Sequence, residues 1–111
     1  MLVIIFIEGK MNMIKTIIFR EGTRNENMIK EYTKELMQLP KGKITSKNIN
    51  GKVYCYLYYR DGGKVISKYI GKNEDTLKEL QEKLTRRYQV EKILKKLKEE
   101  KIQIKKMEAM L

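Results

Sequence analysis

The sequence predicts an α+β fold: a three-stranded antiparallel β-meander packed by helices, with a long C-terminal helix or helix pair. Three observations predict it. Two turn signals, Asn50-Gly51 and Asp61-Gly62-Gly63, divide a stretch rich in β-branched and aromatic residues into three strand-length runs. Upstream, Met28, Ile29, Tyr32, Leu36 and Leu39 recur at helical spacing, and downstream the same period runs from Leu77 to Leu111. The length of 111 residues suits one domain that buries somewhat above ~60% of the surface its unfolded chain exposes.

Taken in order, Leu2 to Ile7 and Ile14 to Arg20 are apolar, β-branched runs parted by Glu8, Gly9, Lys10 and Met11 to Met13, and they predict two short strands, or one strand with a leader, within residues 1–24. Met11 and Met13 are alternative starts to Met1. Asn25 is a good N-cap for an amphipathic helix over 25–39, which Pro40 and Gly42 stop. Residues 43–71 hold the meander. Ile44 to Ile49 and Lys52 to Tyr59 flank Asn50-Gly51, the dipeptide best suited to a type I′ hairpin because both residues tolerate positive φ. The Asp61-Gly62-Gly63 turn leads into Lys64 to Ile70, and Gly71 ends the sheet. Asn73 can cap the helical region 74–111, whose stripe of Leu77, Leu80 and Leu84 resumes at Val90, Ile93, Leu97, Ile104, Met107 and Leu111. Arg86, Arg87 and Gln89 interrupt that stripe, so the region is two helices or one helix with a phase slip near Tyr88.

Strand side chains alternate between faces, so a two-residue turn at Asn50-Gly51 puts Ile44, Val53, Cys55, Leu57 and Tyr59 on one side. An even-length turn after Arg60 adds Ile66 and Ile70 to that core face, which Leu77, Leu80 and Leu84 can cover. The other face receives Lys43, Thr45, Lys47, Lys52, Tyr54, Tyr56 and Tyr58, with Ser67 and Tyr69. Such a face has two readings. Tyrosines can stack on bases while lysines neutralise phosphates, or the tyrosines are merely good strand residues under the helix of 25–39 or the N-terminal strands.

Charge favours polyanionic partners. Twenty-five Lys+Arg against 14 Asp+Glu, with no histidine, give a net charge of +11. A lysine-rich composition that tracks an AT-rich genome gives the same total, and distribution is the better test. Residues 1–40 carry 6 basic and 5 acidic residues, residues 41–71 carry 7 and 1, and residues 72–111 carry 12 and 8. The excess concentrates in the tyrosine segment. Lys43, Lys47, Lys52, Tyr54, Tyr56, Tyr58, Arg60, Lys64 and Lys68 are therefore the candidate nucleic-acid contacts, and Arg86 and Arg87 are candidates for phosphate.

Residues 39–72, LPKGKITSKNINGKVYCYLYYRDGGKVISKYIGK, resemble a family of short uncharacterised bacterial and archaeal proteins. The shared pattern is Leu-Pro-x-Gly, a lysine-bearing strand, Asn-Gly-Lys, a Tyr-x-Tyr strand, an Arg-x-Gly-x-Lys turn and a Tyr-Ile-Gly-Lys end. Leu39, Pro40, Gly42, Asn50, Gly51, Lys52, Tyr54, Tyr56, Arg60, Gly63, Lys64, Tyr69, Ile70 and Gly71 carry it. The resemblance implies no activity. A sheet of three strands followed by a helix also looks like the DNA-binding domain of phage and transposon integrases, a likeness of topology without a shared signature.

Catalytic chemistry has little to build on. The chain has no histidine, one cysteine, no Gly-rich phosphate loop and no acid pair at ligand spacing. No enzyme activity and no cofactor are expected. Cys55 alone excludes an intrachain disulfide and suits a reducing compartment. The six-residue LVIIFI run is too short for a membrane span or a signal core, and the expected location is cytoplasmic. The predicted function is non-catalytic binding of DNA or RNA by a phage- or mobile-element-type protein, with homodimerisation through the C-terminal helix as an option. The alternative is a small anti-CRISPR-like inhibitor that docks on a host nuclease or defence complex, through its nucleic-acid channel or guide RNA.

Overall fold

A computed structural model of the protein describes residues 2–111, the side chains of residues 2–8, 10 and 11 excepted. Its elements are α1 (Leu2–Gln38), β1 (Lys43–Ile49), β2 (Lys52–Asp61), β3 (Lys64–Gly71) and α2 (Glu74–Met110). The strands form one antiparallel sheet in the order β1-β2-β3, the predicted meander between two helices. Among the described residues no helix is long and apolar enough to cross a membrane.

The expected strands within 1–24 are replaced by the first half of α1. An apolar β-branched run does not by itself distinguish a strand from a buried helix segment. Here Ile18, Gly22, Asn25, Ile29, Tyr32 and Leu36 keep one unbroken three- to four-residue stripe across the expected boundary. Asn25 is consequently no N-cap. It sits inside α1 and is 1% exposed.

The single domain expected from length divides into two compact units, Met1–Lys34 with Lys92–Leu111, and Glu35–Glu91. The reason is length: each helix has 37 residues, about 55 Å of rise. The longest strand, with 10 residues, reaches only about 33 Å. A sheet of that size cannot cover either helix end to end.

The first unit is a pairing of α1 with α2, buried at Leu94, Leu97 and Ile104. Gly22 permits the approach, since a Cβ there would lie 3.5 Å from Cγ2 of Ile104 and 3.0 Å from Oε1 of Glu108. Three residues on, Asn25 Nδ2 donates to the Leu97 carbonyl at 2.9 Å. That bond ties the register of one helix to the other. Its cost is visible in the same side chain, whose Oδ1 is buried without a partner.

The second unit holds the sheet with the end of α1 and the beginning of α2. Leu57, 7% exposed, is its buried strand residue. Leu77, Leu80 and Leu84 are half-buried, and Leu84 lines a cavity of about 420 Å³ together with Ile44 on the core face. Val53, expected in the core, is 51% exposed, because it lies one pair from the Asn50-Gly51 hairpin tip. Asn73 caps α2 as expected, its Oδ1 accepting from the Asp75 and Thr76 amides at 2.9 and 3.4 Å. Arg86 makes a two-point bond with Glu35, at 2.6 and 3.0 Å. Arg87 Nη1 donates to the Leu36 and Leu39 carbonyls at 3.0 and 2.9 Å, closing the C-terminus of α1 where Pro40 ends it.

Gly42 turns the chain from α1 into β1 at φ 124°, with its Cα against the Tyr58 carbonyl. A side chain there meets both a disfavoured φ and backbone that cannot yield. Gly42→Ala is expected to destabilise the fold by more than ~1 kcal/mol, read as a lower urea midpoint. Asn25→Leu should do the opposite. It loses one hydrogen bond of about 1 kcal/mol but removes an orphaned acceptor costing about 1–3 kcal/mol and adds apolar burial. A raised urea midpoint is the expected result, and a lowered one would mean that the polar tie outweighs its cost.

Candidate nucleic-acid interface

The register decides which residues share a face. Thr45, Tyr56 and Tyr69 lie opposite one another across the three strands, as do Lys43, Tyr58 and Ser67. Lys47 pairs with Tyr54, and Ile49 with Lys52. Both turns are two-residue: Asn50 and Gly51 have φ of 52° and 82°, Gly62 and Gly63 have 56° and 83°. Positive φ at both central positions is the type I′ signature. Even turns preserve alternation, so Tyr54, Tyr56, Tyr58 and Tyr69 are neighbours on one face.

The rings touch. Tyr56 meets Tyr69 edge-on, with centroids 5.5 Å apart, and tilted contacts join Tyr54 to Tyr69 at 6.1 Å and Tyr56 to Tyr58 at 6.5 Å. Lys47 Nζ stands 5.3 Å from the Tyr56 centroid and 5.5 Å from that of Tyr58, and Lys72 Nζ is 4.9 Å from Tyr54. These are cation–π distances. Helix residues meet the opposite face, where Leu36, Leu39, Pro40 and Arg87 line a cavity with Leu57, Tyr59 and Lys68. The end of the helix expected over 25–39 thus packs on the Leu57 side of the sheet.

Not every predicted nucleic-acid residue belongs with the tyrosines. Lys43, Lys47, Lys52 and Arg60 share their face by register, whereas Lys68 pairs with Leu57 and lies on the other. Lys64 pairs with Asp61 at the hairpin end and follows the same parity as Lys68. Arg86 and Arg87 serve the ends of the helices, through Glu35 and through the α1 carbonyls and Glu91. The Arg86 guanidinium, bonded to Glu35, holds that carboxyl below its ordinary value against a smaller opposing effect of burial.

Lys72 is the residue that sequence alternation misses. Between Tyr56 and Cys55 on β2, β3 steps from Tyr69 to Gly71, and Ile70 is the extra residue of a bulge. The bulge reverses parity, which brings Lys72 over Tyr54 rather than behind it. Its only sequence trace is the glycine, Gly71, at φ 104°. With Lys72 the face carries five cations, Lys43, Lys47, Lys52, Arg60 and Lys72, and by register no carboxylate.

The Lys47 ammonium, 5.5 Å from the centroid of the Tyr58 ring, favours the ionised phenol and, with the Ser67 hydroxyl, holds Tyr58 below its ordinary 10.0, while the Tyr58 oxygen holds Lys47 above 10.5. The signs agree. Lys47 contributes below 10.5 and its contribution is lost as pH rises through its raised value. Tyr58 contributes above 10.0 and its contribution is lost as pH falls through its lowered value. A phenolate–ammonium pair therefore occupies the window between the two shifted values. In an alkaline titration followed by tyrosinate absorbance, the Tyr58 phenol is expected to ionise early, below its ordinary 10.0, and Lys47→Met should move that ionisation to higher pH. An unchanged early phenol in Lys47→Met would assign it elsewhere.

Neither a curated protein nor a solved structure matches the chain. A family model does match, the Domain of unknown function (DUF6788), over residues 22–82. The matched stretch includes Gly22 and Asn25 of α1, the Pro40 and Gly42 junction, the whole sheet and the capped start of α2. It takes in more than half of the chain, which therefore belongs to the DUF6788 family.

Proposed function

We propose that this protein is a non-catalytic, cytoplasmic nucleic-acid-binding protein that holds DNA or RNA against the tyrosine face of its sheet. One observation carries the reading: four tyrosines linked by ring contacts share a face with five cations and no carboxylate. Cations on such a surface release condensed counterions from phosphates, which supplies affinity without regard to sequence. Phenol rings add contact with the faces of bases, and their hydroxyls can bond sugar or phosphate. The ammonium groups already lie on the rings, so each can move from a π face to a phosphate oxygen by rotating its own stem.

The test is the salt dependence of binding to a labelled random-sequence oligonucleotide. Replacing Lys43, Lys52 and Arg60 together by Gln should weaken binding to all sequences and lower the slope of log affinity against log salt by about 0.7–0.9 for each phosphate that is no longer neutralised. Lys64 and Lys68, changed to Gln as a pair, should have the smaller effect because they face away. Equal effects of the two sets would reduce the reading to net charge. A protein-docking function, such as inhibition of a host nuclease, would appear instead as nucleic-acid binding indifferent to the triple change, with a partner whose capture varies little with salt.

A further inference from the structure

We infer that the tyrosine face takes a single strand rather than a duplex, with Tyr69 as the leading stacking ring and Lys47 and Lys72 as the phosphate cations on either side of it. This rests on the reading of the face as a nucleic-acid surface and specifies the ligand further. The rings follow one another in the order Tyr58, Tyr56, Tyr69, Tyr54, at 6.5, 5.5 and 6.1 Å, with interplanar angles of 51°, 61° and 51°. Bases within a duplex strand are stacked about 3.4 Å apart, with both faces covered by their neighbours. Rings spaced and tilted in this way can meet only bases that have left such a stack.

The chemistry of the face agrees with its spacing. Duplex sequence is read at base edges, by Arg and Lys at guanine and by Asn and Gln at adenine. By register the tyrosine face holds no Asn or Gln, and its one arginine, Arg60, stands beside the Gly62-Gly63 turn at the end of the sheet. Phenols and ammonium groups, by contrast, are the components of sequence-tolerant single-strand binding, in which rings take bases and cations track the backbone. Four rings in a row set a footprint of about four nucleotides.

Tyr69 leads because, among the described residues, it is the one of the four rings with no ammonium over it. Lys47 lies over Tyr56 and Tyr58, and Lys72 over Tyr54. Tyr69 is 52% exposed, sits on the edge strand β3, and meets the rings of Tyr54 and Tyr56. It touches both of them, so Lys47, over Tyr56, and Lys72, over Tyr54, are each one ring away. A base laid on Tyr69 has its flanking phosphates directed towards both.

Anisotropy titrations of labelled oligo-dT and oligo-rU, and of each hybridised to its complement, at one salt concentration test this. The single strands should bind more tightly than the duplexes. Tyr69→Ala should weaken single-strand binding by about five- to a hundred-fold, the effect of removing one stacked base, and change duplex binding little. Tyr69→Thr keeps a strong strand former without a ring and should lose as much, while Tyr69→Phe should lose less than either. Duplex binding as tight as single-strand binding, or a full-affinity Tyr69→Thr variant, overturns the inference while leaving the general reading in place. Failure of every form of nucleic acid to bind overturns both.

Discussion

Asn50 and Gly51, both at positive φ, leave β1 and β2 a single register, and the glycine pair Gly62-Gly63 does the same for β2 and β3. Because side chains alternate with a period of two, an odd residue in either turn would send every side chain of the next strand to the opposite face. Leu57 would leave the helix-covered side, and the tyrosines would be divided between two surfaces. The separation of a core face from a phenol-and-ammonium face is thus a consequence of turn parity. The one departure from parity, the bulge at Ile70, comes after Tyr69 has been placed, and its effect is confined to Lys72.

Tying the end of α1 to α2 is a separate task, carried by two adjacent arginines. Arg86 engages the Glu35 carboxylate and Arg87 the last carbonyls of α1, shortly before Gly42 slips beneath the Tyr58 carbonyl. The guanidinium group suits this position because its planar fork can satisfy several acceptors at once without giving up its charge. The Leu-Pro-x-Gly pattern gains a physical meaning here. Leu39 offers a carbonyl, Pro40 stops the helix, and Gly42 accepts the close approach that no other residue fits.

The meander is legible in the sequence because its signals are local. Asn-Gly and Gly-Gly specify turns by backbone conformation alone, and Asn73 caps α2 through amides two and three residues away. The N-terminal half of α1 is less legible, since Leu2–Ile7 and Ile14–Arg20 are as compatible with strands as with a helix, and the helix they belong to pairs with α2, far along the chain. Asn25 illustrates the same limit. In sequence it looks like a cap; its actual partner is the Leu97 carbonyl, 72 residues away. Of the candidate site, the tyrosines and Lys43, Lys47, Lys52 and Arg60 follow from alternation. Lys68 follows from the same rule but lies on the other side, and Lys72 depends on a bulge that alternation does not contain.

Composition drift and selected charge differ in what accompanies each lysine. Along α2 the cations are interleaved with acids, and Lys83 pairs with Glu79 and Arg87 with Glu91 one helical turn away. Charge in such pairs is neutralised where it stands, as the surface helix of a lysine-rich protein requires for solubility and little else. The tyrosine face lacks that neutralisation. Its five cations repel one another with no carboxylate among them, and the compensation available within the face is the negative π surface of the rings, which Lys47 and Lys72 use. A cation resting on a phenol ring is only partly compensated, and a phosphate would compensate it further. On the proposed reading, the ligand that relieves this repulsion is a polyanion whose flat apolar surfaces take the place of the ammonium groups on the rings.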